Sequence, residues 1–157
     1  MTSAVETVAG TIISICATAP DTYDAAGYQS TDMVFTAIGE ITDGGEHGRE
    51  YALVTHNPMA TRGVQKFKGS FNEGSKTIQM ALDRDDAGQV ICQTALTSDA
   101  NYSFKVAYQG GDIDFFQAKV MSFKKATGGV DSMRSATIML ELTTNSSGVG
   151  IVEVTAP

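Results

Sequence analysis

The sequence predicts a mainly β protein: an antiparallel β-sandwich or barrel with one flanking α-helix. Three observations carry this. Apolar and polar residues alternate with period two along most of the chain, the spacing of half-buried strands. Turn signals separate the alternating stretches at Asp43-Gly44-Gly45, Asn72-Glu73-Gly74, Gly110-Gly111-Asp112 and Gly128-Gly129. One segment, DDAGQVICQTALTSD, changes to helical spacing. A chain of 157 residues that is 42% hydrophobic fits one domain. At that length a fold buries roughly 70% of its unfolded surface, so it needs neither disulfide nor metal to be stable. Residues 1–157 are read as one domain, with 1–10 and 143–157 as terminal arms.

The first strand is expected at 11–17. Its surroundings, VAGTIISICATAP, end in Ala17-Thr18-Ala19 like a cleavage site, but a signal peptide needs a basic start, and Glu6 stands there with no Lys or Arg. A strand over 33–42 would place Glu40 and Thr42 on a face opposite Phe35 and Ile41. Strands over 49–56 and 64–71 follow. In the second, Lys66 and Lys68 alternate with Phe67 and Phe71. Burying a phenylalanine is worth roughly 1.5–3 kcal/mol, so the core is expected to set the register and turn the lysines outward. In 77–83 the row is Ile78, Met80 and Leu82.

The helix comes next. Ala87, Val90, Ile91 and Ala95 form its apolar stripe, Asp85 stands at the N-cap position and Asp86 adds charge to the first turn. Gly88 weakens it by about 1 kcal/mol relative to alanine, so packing must hold it. Four strands complete the chain. Tyr102, Phe104, Val106 and Tyr108 alternate in 102–108, a strand spans 113–123, Ala136, Ile138, Leu140 and Leu142 line one face of 136–142, and 149–154 closes the series.

The net charge of −7 sits in the first third. Glu6, Asp21, Asp24, Asp32, Glu40, Asp43 and Glu46 precede Arg49 with no base among them, whereas the rest of the chain is balanced. Such a chain does not bind nucleic acid by neutralising phosphates. No apolar run approaches the ~18 residues of a membrane span, so no membrane partner is expected. Cys16 and Cys92 lack C-x-x-C spacing and read as small buried hydrophobes made in a reducing cytoplasm.

No catalytic or cofactor constellation emerges. His47 and His56 fall at strand ends near turns, where a histidine is ordinarily exposed, and no nucleophile motif accompanies them. Asp83 to Gly88 is similar to the start of a calcium loop, but Thr94 stands where the closing glutamate belongs. Asp112-x-Asp114 is too sparse to form a site alone, no zinc spacing occurs, and the glycines match no phosphate loop. No cofactor or metal is expected. The stretch THNPMATRGVQKFKGS, with His56, Asn57, Pro58, Met59, Arg62, Lys66 and Lys68, is left as a surface that meets another protein.

Beyond this elimination, the order of several pieces is informative. YDAAGY, GEITDGGEHG, VQKFKGSFNEGS, DRDDAGQ and NYSFKVAYQGGDIDFFQAKVMSF succeed one another from about residue 10 to 142. The succession resembles the tail tube (major tail) proteins of long, non-contractile-tailed bacteriophages. His47 is the clearest departure, since an aromatic residue is expected there. The resemblance implies a tail-tube-like β-sandwich assembling as hexameric rings that stack into a hollow tube in the virion tail. The chain would be made in the bacterial host cytoplasm. It implies self-association and contacts with tape measure, tail terminator and distal tail proteins, with DNA passing through unbound. The immunoglobulin-like C-terminal domain of some relatives is expected to be absent. Under this reading His56, Asn57, Pro58, Met59, Arg62, Lys66, Lys68, Asp21, Asp24 and Asp32 make contacts between subunits, while Glu40, Thr42 and Glu50 line the lumen. The alternative is a virion decoration or receptor-binding β-sandwich module. Such modules usually expose aromatic residues to a ligand, and this chain has no Trp.

Overall fold

The computed structural model describes residues 4–156; the first three residues of the expected N-terminal arm lie outside them. In chain order the elements are β1 (Ile12–Cys16), α1 (Ala25–Tyr28), β2 (Thr36–Ala37), β3 (Ile41–Asp43), β4 (Glu50–His56), β5 (Gln65–Asn72), β6 (Ser75–Ala81), α2 (Ala87–Leu96), β7 (Tyr102–Ala107), β8 (Ile113–Ala126), β9 (Ser135–Thr143) and β10 (Val152–Val154). The main sheet runs β2-β1-β7-β8-β9-β6-β3 and is antiparallel throughout. β10 pairs with the first residues of β8, the stretch that β9 leaves free.

The expected strand over 33–42 is broken, and the break closes the barrel. β2 and β3 stand at opposite ends of the strand order yet are separated by Ile38, Gly39 and Glu40 alone. Ile38 donates its N–H to the Ile13 carbonyl at 2.8 Å, and the Glu40 carbonyl accepts from Ala81 at 2.9 Å. One short segment therefore hands its hydrogen bonds from β1 to β6. Changing partners bends the chain, and Glu40 sits at φ +62°, a left-handed conformation that costs an L-residue about 1–2 kcal/mol. Glu40 is thus not part of an alternating strand.

Inside the barrel, Ile13, Ile15, Ile78, Met80, Phe104, Phe116, Ile138 and Leu140 are buried, as period two predicts. The outer face of the β1–β7–β8 region is covered as well. Residues 18–35 fold over it, joined by Val152 and Val154 of β10, with Tyr28 stacked on Phe115 at 5.1 Å between centroids. The single-turn helix α1, absent from the sequence reading, belongs to this cover. Asp24 caps it by accepting from Gly27 at 2.8 Å. The outer face of β6 stays bare, with Ser75, Thr77 and Gln79 exposed.

α2 plugs one end of the barrel. Its N-cap is Asp86 rather than Asp85, because Asp86 also reaches the crossover: Oδ2 accepts from both Gln89 and Gly39 at 3.0 Å. The buried face is rotated from the expected stripe to Gly88, Gln89, Cys92 and Ala95, leaving Val90 half exposed. Gln89 is buried because it satisfies backbone groups, donating to Gly39 and Ala81 and accepting from Asp83. Gly88 lets the helix touch the crossover, since a Cβ there would stand 2.2 Å from the Ala37 carbonyl oxygen.

Candidate assembly surface

β4 and β5 leave the main sheet and pair with each other alone. A two-stranded sheet is marginal in water unless something covers a face. Here both faces carry apolar side chains in the open: Leu53 is 67% exposed, Phe67 54% and Val54 48%. The expectation that Phe67 and Phe71 enter a core is therefore corrected. These alternating residues are apolar, but among the described residues no core forms over them: Phe67 is 54% exposed and Phe71 37%.

A bulge alters the faces further. From Leu53 to Tyr51 on β4 the partner strand advances from Lys68 to Phe71, one residue more, at Gly69-Ser70. Val54 opposes Phe67 on one face, with His56 opposite Gln65. On the other, Thr55 opposes Lys66, Leu53 opposes Lys68 and, past the bulge, Tyr51 opposes Phe71. Phe71 thus joins the lysine face rather than lying opposite it. A cation–aromatic stack results: the Arg49 guanidinium lies 3.9 Å from the Phe71 centroid, Phe71 lies 5.6 Å from Tyr51, and Lys68 Nζ lies 4.9 Å from Tyr51. Exposed contacts of this kind contribute about 0.5–1 kcal/mol each, enough to stiffen a free arm.

Arg49 anchors the arm at its base. Its Nε donates to Glu73 Oε1 at 2.7 Å, and the hydrogen bonds that Arg49 donates to the Tyr51 hydroxyl and to Glu73 raise the guanidinium pKa further. Glu73 is buried and its second oxygen accepts from Ile151, which fastens the segment leading to β10.

The loop at the tip, residues 57–64, exposes Asn57, Met59 and Arg62, with Pro58 half-buried. His56, Lys66 and Lys68 stand exposed on the arm below it. Asp21, Asp24 and Asp32 lie exposed on the cover around α1, a different part of the molecule; the Gly27 N–H and the Thr22 hydroxyl hold the Asp24 carboxyl below its usual range. Glu40 is exposed at the crossover and Glu50 at the base of the arm. Thr42 is exposed on β3 and donates to the Gln79 carbonyl at 3.3 Å.

One group of polar residues was not legible in sequence. His47, expected to be exposed, points into the open end of the barrel with its side chain 10% exposed. Its Nε2 lies 2.8 Å from Asp114 Oδ2, its Nδ1 lies 3.1 Å from Lys76 Nζ, and its ring packs on Phe116. Tyr108 donates to the same Asp114 oxygen at 2.7 Å. Burial pushes the Asp114 pKa up, but the hydrogen bonds from His47 and Tyr108 outweigh it and hold the carboxyl below its usual range. Burial lowers Lys76 and raises Tyr108. The group borders a cavity of about 730 Å³ at the barrel mouth. Asp114, read in sequence as too sparse, gains its partners from the loop before β4 and from Tyr108 just past β7.

Among the described residues no three His, Cys, Asp or Glu side chains are placed to hold a metal ion. Asp83 and Asp86 accept backbone hydrogen bonds instead. Cys16 and Cys92 are buried, and burial pushes the Cys92 thiol up to about 12. No helix is long and apolar enough to cross a membrane among the described residues.

No family model matches the sequence, and no curated protein matches it. Solved structures share its fold. The chain superposes on the SPP1 tail tube with a TM-score of 0.64 at 16% identity, over 93% of this chain and 77% of that one. It matches the tail of an empty gene transfer agent particle, refined with C6 symmetry, with a TM-score of 0.63 at 12% identity, over 90% and 96% of the two chains. For a chain of an extracellular contractile injection system, solved as its PVC sheath/tube terminator in the extended state, the score is 0.66 at 8% identity over 99% and 100%. The chain has the tail tube fold.

Proposed function

We propose that this chain is a structural virion protein that polymerises as stacked hexameric rings into a phage tail tube, the conduit for DNA ejection. The observation that carries the reading is the β4–β5 arm. In a fold shared with tubes, an apolar two-stranded sheet is left bare by its own chain. Covering Leu53, Val54 and Phe67 with a second copy removes apolar surface from water at roughly 25 cal/mol per Å². A closed ring needs two different complementary surfaces per subunit. The arm with His56, Asn57, Pro58, Met59, Arg62, Lys66 and Lys68 supplies one, and the acidic cover with Asp21, Asp24 and Asp32 supplies the other.

The role is structural rather than catalytic. Glu40, Thr42 and Glu50 face the lumen in this reading, presenting DNA with a wall that carries no clustered lysines to hold phosphate. A tape measure protein occupies the growing tube, and terminator and distal tail proteins meet its ends.

Negative-stain electron microscopy of concentrated protein tests this. Tubes or stacked rings are the expected result, since weak contacts with several neighbours combine into a stable polymer. Discrete particles would favour a decoration module instead, and monodisperse monomers under all salts tried would remove the reading.

A further inference from the structure

We infer that Lys76 is a carbonyl-accepting amine: with His47 and Asp114 behind it, it forms an imine with a small neutral aldehyde that enters the cavity at the barrel mouth. The inference is independent of tube formation, and the reaction is stoichiometric, one aldehyde per chain. Lysines are almost never fully buried unless paired. Lys76 is 3% exposed, yet no carboxylate stands within ion-pair reach of it among the described residues. Its Nζ meets a ring nitrogen instead, His47 Nδ1 at 3.1 Å.

That contact has the geometry of a nucleophile beside its base, with a third group orienting the base. A carboxylate only accepts hydrogen bonds, so His47 presents Nε2–H to Asp114 at 2.8 Å and keeps the Nδ1 lone pair for Lys76. Tyr108 donates to the same Asp114 oxygen at 2.7 Å and holds the carboxylate in turn. Burial lowers the Lys76 pKa against the pull of Asp114 and Asp43, so more of the free amine is present than on an exposed lysine. The reaction balances without an oxidant or reductant. Nζ attacks the carbonyl carbon and passes a proton to His47 Nδ1. A C–N bond forms, the carbonyl oxygen leaves, and both amine protons depart with it as water.

The cavity selects what reaches the amine. Its volume of about 730 Å³ suits a small molecule. Asp43, Glu46, Asp114 and Glu153 border it, whereas Arg49 on its wall is already paired with Glu73. Carboxylates and phosphates are therefore repelled, and an uncharged carbonyl compound is not. Ile13, Ile41 and Val106 supply apolar wall for its carbon chain. Lys66 and Lys68 on the arm are exposed and have no such base beside them among the described residues; Lys68 lies over Tyr51 instead.

Reductive labelling of the full chain, kept dilute near neutral pH, tests this. Acetaldehyde is the probe, and cyanoborohydride converts each imine to a stable N-ethyl group that peptide mass spectrometry places on a lysine. Lys76 should be labelled first, at least about tenfold faster than Lys66 and Lys68. In the urea-unfolded chain that preference should vanish. His47→Gln keeps an acceptor for Lys76 and a donor for Asp114 but is no base, so it should bring Lys76 down to the rate of the exposed lysines or below. Lys76 labelled no faster than the arm lysines, a preference that survives unfolding, or an unchanged rate in His47→Gln would overturn the inference. If His47→Gln does not fold, the natural chain, native against unfolded, decides alone.

Discussion

Asp86 accepts the backbone N–H of Gly39 at 3.0 Å across 47 positions of sequence, with the same carboxylate oxygen that caps helix α2 at Gln89. The helix is thereby tied to the segment that closes the barrel. Asp86→Ala loses a cap worth about 1 kcal/mol and leaves the half-buried Gly39 N–H without its acceptor, which costs a further 1–3 kcal/mol or so. Urea unfolding should show a loss of about 2–4 kcal/mol, with Asp86→Asn costing clearly less. Equal losses for the two variants would mean that an amide oxygen does not replace the carboxylate in these bonds.

Gly88→Ala should destabilise despite alanine's better helix propensity. The propensity gain is about 1 kcal/mol. The added Cβ meets the Ala37 carbonyl oxygen at 2.2 Å, and backbone on both sides must move, an overpacking strain of about 1–3 kcal/mol. A lower melting temperature is expected. A higher one would show that helix and crossover can separate freely.

Leu53→Asp combined with Phe67→Asp should leave the monomer folded and abolish polymerisation. Both side chains are more than half exposed, so the fold should lose less than about 1 kcal/mol. Arg62→Glu with Met59→Asp at the tip should act in the same direction. Unchanged circular dichroism with no tubes by electron microscopy is the expected pair of results; normal tube growth in the first double variant rules out the arm as a contact.

Asp114 should contribute to acid stability with a definite sign. Its pKa is depressed in the folded chain, so its contribution is full above the unfolded value of about 3.9 and fades as pH falls through the lower folded value. Stability measured from about pH 5 downward should fall more steeply in the natural chain than in Asp114→Asn. Parallel curves would show that the His47 and Tyr108 bonds do not favour the carboxylate.

Glu40→Lys with Glu50→Lys should still build tubes and slow DNA delivery, because lysines on a lumen wall hold phosphate through counterion release. Glu40 already occupies a left-handed conformation, so exchanging one L-residue for another adds no new backbone strain. Delivery at the normal rate would mean either that these side chains do not face the channel or that wall charge does not matter.

The strand rows of β6, β7 and β9 were determined by the sequence alone, because alternation states directly which residues share a face. The helix was legible too, to within one residue of its cap. Alternation does not state what lies over a face, however. Phe67 and Ile78 carry the same local pattern, yet one is half exposed and the other fully buried. Burial depends on which distant segments arrive, and only the tertiary structure settles that. It also decided the bulge that turns Phe71 toward Lys68, the strained Glu40 that closes the barrel, and the meeting of His47 with Lys76 and Asp114, 29 and 67 positions away. Each depends on hydrogen bonds and charges between segments remote in sequence, and neither residue spacing nor propensity records which segments those are.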